Sequence, residues 1–279
     1  MMPRHELEAL AAQAERLRAL HQADRPLVLP NAWDTGSALA VERAGAQAIA
    51  TTSSGVSSAL GYPDGEQVPS GEMFLAVHRI ATSVRLPVTA DLEAGYGLAA
   101  DVLVERLLRA GAVGLNLEDT DHSDAQPRLV PLEVQVERIA AVRAAAQQAR
   151  VPVVLNARID VFLRGDGELK SRVGEAIERG SAYLAAGADC VYPIGLIDAG
   201  SIARLVEQVN GPVNILLRAG TPSLRRLRTM GVRRVSVGGG LWDRAMDGTE
   251  ELARRLMAGD GTAFTDPPSG GGGRRRDKR

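Results

Sequence analysis

A single cysteine, Cys190, is all the thiol chemistry in this chain, which excludes an internal disulfide and fits a reducing compartment. Followed by apolar Val191, it reads as packed core. No apolar run approaches the roughly 18 residues that span a bilayer. The opening residues, with Glu6, Glu8 and Glu15, lack the charged start and apolar centre of a signal peptide, so a cytoplasmic location without membrane contact is expected. A strong charge of one sign is also missing. The formal net charge is −1, and the last six residues, five basic and one acidic, leave the rest at −5. A mildly acidic body argues against a nucleic-acid partner, and the stretch 266–279, DPPSGGGGRRRDKR, is expected to be a disordered basic tail. No G-x-G-x-x-G follows the first strand-like run, which continues Asn31-Ala32-Trp33-Asp34-Thr35-Gly36; an open dinucleotide-binding sheet is therefore disfavoured.

What is present is a regular alternation. Residues 5–21 carry apolar side chains at helical spacing and predict an extra N-terminal helix. Strand-like runs follow at 27–30, 48–52, 88–92, 114–117, 151–156, 190–194, 213–217 and 234–237. Between and after them, helical patterns cover 35–44, 70–84 (with Ser70 as N-cap), 100–110, 132–149, 169–186, 199–209, 223–230 and 242–258. Gly45, Gly111, Gly187 and Gly231 stand where helices must end in a left-handed turn. Eight strands alternating with eight helices predict an α/β fold of the (β/α)8 TIM-barrel type, one domain over residues 1–265.

In such a barrel, chemistry sits where strands run into the following loops. Polar residues gather there. Asp91 and Glu93, two apart at the end of the third strand, are expected to share one face and to suit a hard cation such as Mg²⁺. Asp34 reads equally well as a helix N-cap or a site residue, and Ser53-Ser54-Gly55 as a plain turn or an anion cradle. Glu118-Asp119, then Asn156, Arg158 and Asp160, end the fourth and fifth strands, and Asn214, within the seventh, is a further substrate-binding candidate. Taken singly, Arg158 with Asp160 would pass for a rim ion pair. Asp64, Asp91, Glu93 and Glu118 converging with Arg158 would instead call for a cation and an anionic ligand. His122, in a polar loop, reads as a solvated surface residue with proton donation as the alternative. Gly238-Gly239-Gly240 ends the eighth strand where many barrels bind phosphate, which keeps a phosphate-binding isomerase as one alternative.

The runs Ser54-Gly55-Val56, Leu60-Gly61-Tyr62-Pro63-Asp64, Asp91-Leu92-Glu93-Ala94-Gly95-Tyr96-Gly97, Gly114-Leu115-Asn116-Leu117-Glu118-Asp119 and Asn156-Ala157-Arg158 together resemble the isocitrate lyase / phosphoenolpyruvate mutase superfamily from about residue 30 to 241. The resemblance implies a barrel whose last helix is exchanged between subunits of a homodimer or homotetramer. It also implies Mg²⁺ and a small 2-oxo or 2-hydroxy acid substrate. By the same resemblance, Ser54, Gly55 and Val56 contact the substrate. Asp91, Glu93 and Glu118 serve the metal and its waters, with Asp64 beside them, and Arg158 pairs with substrate oxygens, so that Asp64, Glu118 and Arg158 carry the catalysis. Two departures narrow the expectation. The K-K-C-G-H loop of isocitrate and methylisocitrate lyases is replaced by Asp119-Thr120-Asp121-His122-Ser123-Asp124-Ala125-Gln126-Pro127-Arg128, and the Asp-Lys start of the mutase gating loop is missing. The resulting expectation is an Mg²⁺-dependent lyase or hydrolase that cleaves a C–C bond of an oxaloacetate-like acid through an enolate. The alternative within the superfamily is a phosphonomutase-type P–C enzyme.

Overall fold

The computed structural model describes residues 2–124 and 126–265; the predicted tail 266–279 lies outside the described residues. The described residues divide into two compact units, one ending at Leu241 and the other beginning at Trp242.

The first unit opens with helix α1 (Arg4–His21), whose Ala14, Leu17 and His21 are buried. Eight parallel strands follow among the described residues: β1 (Leu27–Leu29), β2 (Ile49–Thr51), β3 (Val88–Asp91), β4 (Gly114–Glu118), β5 (Val154–Ile159), β6 (Cys190–Pro193), β7 (Asn214–Leu216) and β8 (Arg234–Ser236). Neighbours from β2 to β6 pair in sequence order, β7 pairs with β8, and β8 with β1. A parallel bridge from Val191 to Val213 links β6 to β7. On the other side, Pro30 interrupts β1, and the next two residues, Asn31–Ala32, pair with β2 instead. The pairings thus run round in a cycle, the (β/α)8 arrangement that the sequence predicts.

Most strand residues are buried, as in parallel strands covered by helices; every residue of β4 is buried, whereas Val28 in β1 is exposed. The helices are α2 (Thr35–Arg43), α3 (Ser53–Leu60), α4 (Ser70–Ser83), α5 (Ala100–Arg109), α6 (Leu132–Gln148), α7 (Val161–Arg164), α8 (Leu169–Ala185), α9 (Ala199–Gln208) and α10 (Leu224–Thr229). On α5, Leu103, Val104, Leu107 and Leu108 fall on one face and are all buried. Each such side chain contributes about 2 kcal/mol by leaving water.

Local chemistry sets the boundaries. Asp34 caps α2, accepting from Ser37 N at 2.7 Å while Ser37 Oγ accepts from Asp34 N at 3.0 Å. Gly45, Gly111, Gly187 and Gly231 all have positive φ after a helix, as expected. Three expectations are corrected. Ser53-Ser54-Gly55 is the first turn of a helix rather than a plain turn. Ser70 begins α4 without capping it, its hydroxyl accepting from Arg106 Nη1 at 3.2 Å. The fifth strand starts at Val154 rather than 151, because Pro152 has no N–H for the ladder and pairing with Gly114 begins after it.

In the second unit, no residue of the final long helix, α11 (Gly240–Met257), is buried. Among the described residues no helix is long and apolar enough to cross a membrane.

Candidate active site

The site is built on the ends of β3, β4 and β5. Asp91 closes β3, and both its oxygens hold a protein donor: Oδ2 accepts from Ser53 N at 3.1 Å, Oδ1 from Asn116 Nδ2 at 3.2 Å. Its own N–H donates to Thr51 Oγ1 at 2.8 Å. Glu93 does not share its face as strand alternation predicts. The strand has ended, and the chain turns left-handed at Glu93 (φ 50°), Gly95 (87°), Tyr96 (58°) and Gly97 (63°). At Gly95 it is the dihedral that favours glycine; a Cβ there would meet Arg138 Nη2 at 2.7 Å, the movable end of a long side chain. The turn delivers Glu93 to the loop after α3, where Oε2 accepts from Gly65 N (2.8 Å) and Glu66 N (2.6 Å), and Oε1 from the Tyr96 hydroxyl (2.6 Å). Burial pushes the Glu93 carboxyl up to about 7, against the pull of the Tyr96 hydrogen bond.

Glu118, the last residue of β4, is only 2% exposed and lies between Arg158 and His122. Arg158 Nη1 is 2.5 Å from Oε2, and His122 Nε2 is 2.6 Å from Oε1. Burial raises Glu118 to about 7, with Arg158 and His122 working to lower it. The hydrogen bond to Glu118 in turn raises the His122 pKa, against burial. Expected on the solvated surface, His122 is instead a site residue with a side chain 8% exposed. Next to it in the chain, Thr120–Asp121 pairs antiparallel with Arg128–Leu129.

Arg158 is gripped from below by Asp160, Nε to Oδ1 at 2.7 Å and Nη2 to Oδ2 at 2.9 Å. Only Nε and one N–H of Nη2 are spent in hydrogen bonds, both on Asp160, so Arg158 keeps donors on Nη1 and Nη2 beside its ion pair with Glu118. Asp160 is fixed by Thr120 Oγ1 at 2.6 Å and, through its own N–H, by Asp119 Oδ1 at 2.7 Å. Asp119 faces away from the mouth and accepts from the Tyr183 hydroxyl (2.7 Å) and Arg179 Nη1 (3.2 Å). The rim ion pair of Arg158 with Asp160 therefore exists, as the foundation of a larger cluster.

A cavity of about 290 Å³ gathers Asp64, Glu93, Glu118, His122, Arg158 and Arg164 on its walls. Burial, and then the charge of Asp91, raise the Asp64 pKa. Arg164, at the end of α7, makes no ion pair or side-chain hydrogen bond among the described residues. Ser54 and Gly55 sit in the first turn of α3, whose N–H groups have no intrahelical acceptors, whereas Val56 is buried core. Asn214 is not at the mouth: it is buried and exchanges hydrogen bonds with Ser236. The proposed phosphate cradle is occupied by the protein itself, because Asn31 Oδ1 accepts from both Val237 N and Gly238 N at 2.9 Å.

Among the described residues no three His, Cys, Asp or Glu side chains group so as to hold a metal by themselves. Glu93 and Glu118, like Asp91, already hold protein donors, so hydrogen bonding alone does not single out a direct ligand among the three. The Asp91–Asp64 pair is different. The charge of one raises the pKa of the other, and Mg²⁺ needs only one or two carboxylates beside its waters and substrate oxygens. The residues present thus fit Mg²⁺ held by Asp91 with Asp64 beside it.

A parallel barrel whose strand ends bury an acid–histidine–arginine cluster defines an α/β-barrel enzyme. A family model described as phosphoenolpyruvate phosphomutase matches residues 17–257, and the chain belongs to that family, within the isocitrate lyase / phosphoenolpyruvate mutase superfamily. It is 32% identical over 209 residues to an oxaloacetate decarboxylase of Chromohalobacter salexigens, covering 70% of this chain and 68% of that one. A crystal structure of a phosphonomutase candidate from Burkholderia cenocepacia J2315 superposes with a TM-score of 0.81 at 40% identity, covering 87% of this chain and 99% of that one. An oxaloacetate acetylhydrolase bound to 3,3-difluorooxalacetate gives a TM-score of 0.81 at 26% identity, covering 93% and 91%.

Proposed function

We propose that the protein is an Mg²⁺-dependent lyase that cleaves a C–C bond of a small 2-oxo or 2-hydroxy dicarboxylate, with oxaloacetate-like acids as the first substrates to test. The observation that carries this reading is the single cavity in which a buried Glu118–His122 pair, a half-free Arg158 and an unpaired Arg164 face one another. Similarity to an oxaloacetate decarboxylase and an oxaloacetate acetylhydrolase supports it.

The N–H groups of Arg158 not spent on Asp160 would take the carboxylate next to the 2-oxo group, assisted by the Ser54 hydroxyl and the N–H groups of Ser54 and Gly55. Arg164 supplies charge on the rim for the second carboxylate. Mg²⁺ held by Asp91, with Asp64 beside it, would supply Lewis acidity at the 2-oxo oxygen. When the bond to the departing carboxylate breaks, its electron pair stays on the remaining carbon and CO₂ leaves. The His122–Glu118 pair can then deliver a proton to that carbon; Glu118, pushed up to about 7, is placed to share and replace the proton on His122. This assigns the proton donation to His122, which stands in the loop that replaces K-K-C-G-H.

A helix with no buried residue and with Leu241, Met246, Leu252, Leu256 and Met257 exposed supports a homo-oligomer in which α11 docks on a second copy. The one buried, unpaired thiol supports a cytoplasmic setting.

The test is Mg²⁺-dependent loss of oxaloacetate and of 2-methylmalate-type acids, measured above the rate with Mg²⁺ alone. Asp91→Ala is expected to lose more than about 1,000-fold in kcat, and retained turnover would remove the metal role from Asp91. The family description itself favours a second reading, P–C bond chemistry. Phosphonopyruvate converted with a shift of its phosphorus NMR signal, and no C–C cleavage, would establish it instead.

A further inference from the structure

We propose that Arg234, at the start of β8 and remote from the cavity walls, is a positioning residue for Asp91: it fixes the Asn116 amide that donates to this carboxylate. The inference rests on the assignment of Mg²⁺ to Asp91 made above.

Arg234 is among the largest fully buried side chains, 1% exposed. Among the described residues it has no ion-pair partner, and its Nε and Nη1 have no hydrogen-bond acceptor. A buried guanidinium left so poorly paired is costly, and an apolar side chain of similar volume would serve packing better. Its one hydrogen bond runs from Nη2 to Asn116 Oδ1, at 3.2 Å. Burial works against its charge, while Cys190, Tyr192 and Asp91 favour it.

That contact determines how Asn116 faces. A guanidinium only donates, so the Asn116 atom opposite it must be the oxygen. The same oxygen accepts from Asn156 Nδ2 at 2.8 Å. The Asn116 NH₂ is then the group turned to Asp91 Oδ1, at 3.2 Å. Asn156 could not hold this polarity alone, because its own Oδ1 has no partner among the described residues. Arg234 is therefore the fixed donor at the inner end of the chain Arg234–Asn116–Asp91, and it holds the amide whether or not Asp91 stays in place. The carboxylate keeps one rotamer, with its remaining lone pairs turned to the mouth.

Removing the charge and removing the positioning act in opposite directions on a cation, which makes the sign decisive. Loss of a nearby positive charge would tighten Mg²⁺ binding; loss of a fixed carboxylate weakens it. Calorimetric titration of Mg²⁺ into the substrate-free full chain is compared for wild type, Arg234→Met, Arg234→Lys, Asn116→Leu and the Met/Leu double variant, with kcat and KM alongside. Arg234→Met is expected to weaken Mg²⁺ about ten-fold, as the loss of an outer-shell partner does, and to lower kcat with little change in KM. Arg234→Lys should recover part of the loss, and the double variant should be no worse than Asn116→Leu. Unchanged or tighter Mg²⁺ binding in Arg234→Met, or additive losses in the double variant, would overturn the proposal. If Arg234→Met fails to fold, Arg234→Lys and Asn116→Leu decide it: the proposal requires both to weaken Mg²⁺, and unchanged binding in either overturns it. A wild type that binds no Mg²⁺ removes the reading of Asp91, whereas a wild type that binds and an Arg234→Met that binds equally removes this inference alone.

Discussion

The two ends of the barrel each hold a carboxyl group between two basic side chains, half-buried at the base and buried at the mouth, and they use it differently. At the base, Asp189 accepts from Arg18 Nε at 3.0 Å, from Arg143 Nη2 and from Leu155 N at 2.8 Å. The two arginines spend further donors on the carbonyls of Pro152, Gly187 and Val153. The arrangement ties α1 and α6 to the entries of β5 and β6. At the mouth, Glu118 has two partners as well, but further acids, Asp160 and Asp91, crowd round the same arginine. An acid matched by its bases clamps; a cluster with excess like charge is ready for a ligand.

The contrast is broken most strongly by Glu118→Gln. It should reduce kcat about 100-fold or more by uncoupling His122 from its proton partner, with secondary structure retained by circular dichroism. Asp189→Asn should do the reverse. Stability falls by about 3 kcal/mol in urea unfolding, because two arginines lose their counter-charge, while kcat of the folded enzyme stays within about two-fold. Arg164→Met should raise KM for a dicarboxylate about ten-fold and leave inhibition by oxalate, which needs only the inner end of the site, nearly unchanged. The smallest effect is on stability against pH. Glu93 and Glu118 rise from 4.5 to about 7, so the folded state binds more protons than the unfolded one. Their contribution is fully present below about pH 4.5 and lost as the pH rises through about 7. Apparent Tm should therefore decline by several degrees between about pH 5 and 8, and Mg²⁺ should restore part of it at the upper end.

Much of this was legible in the sequence because it is local. Hydrophobic period, glycine after helices and Asp34 before α2 act within a few residues, and they located the eight strands to within a few positions. The convergence of Asp64, Glu93, Glu118 and Arg158 was legible because barrel topology sends all strand ends to one face. What was hidden depends on partners far apart in the chain. His122 looked like a loop residue, since nothing nearby announces that a two-residue pairing with Arg128–Leu129 turns it onto Glu118. Glu93 was assigned to the wrong surroundings because alternation fails once a left-handed residue follows the strand. Arg234 reads as an ordinary strand-entry residue; its partner, Asn116, is 118 positions away.

The break at Pro30 also sets an order of events. Leu27–Leu29 can pair only with Arg234–Ser236, and Asn31 completes the junction with Val237 and Gly238. During synthesis the first strand leaves the ribosome with its permanent neighbour still some 200 residues from being made. At about 5–20 residues per second it waits ten seconds or longer with an open edge. Fragments ending before β8 should accordingly be the forms of this chain that aggregate.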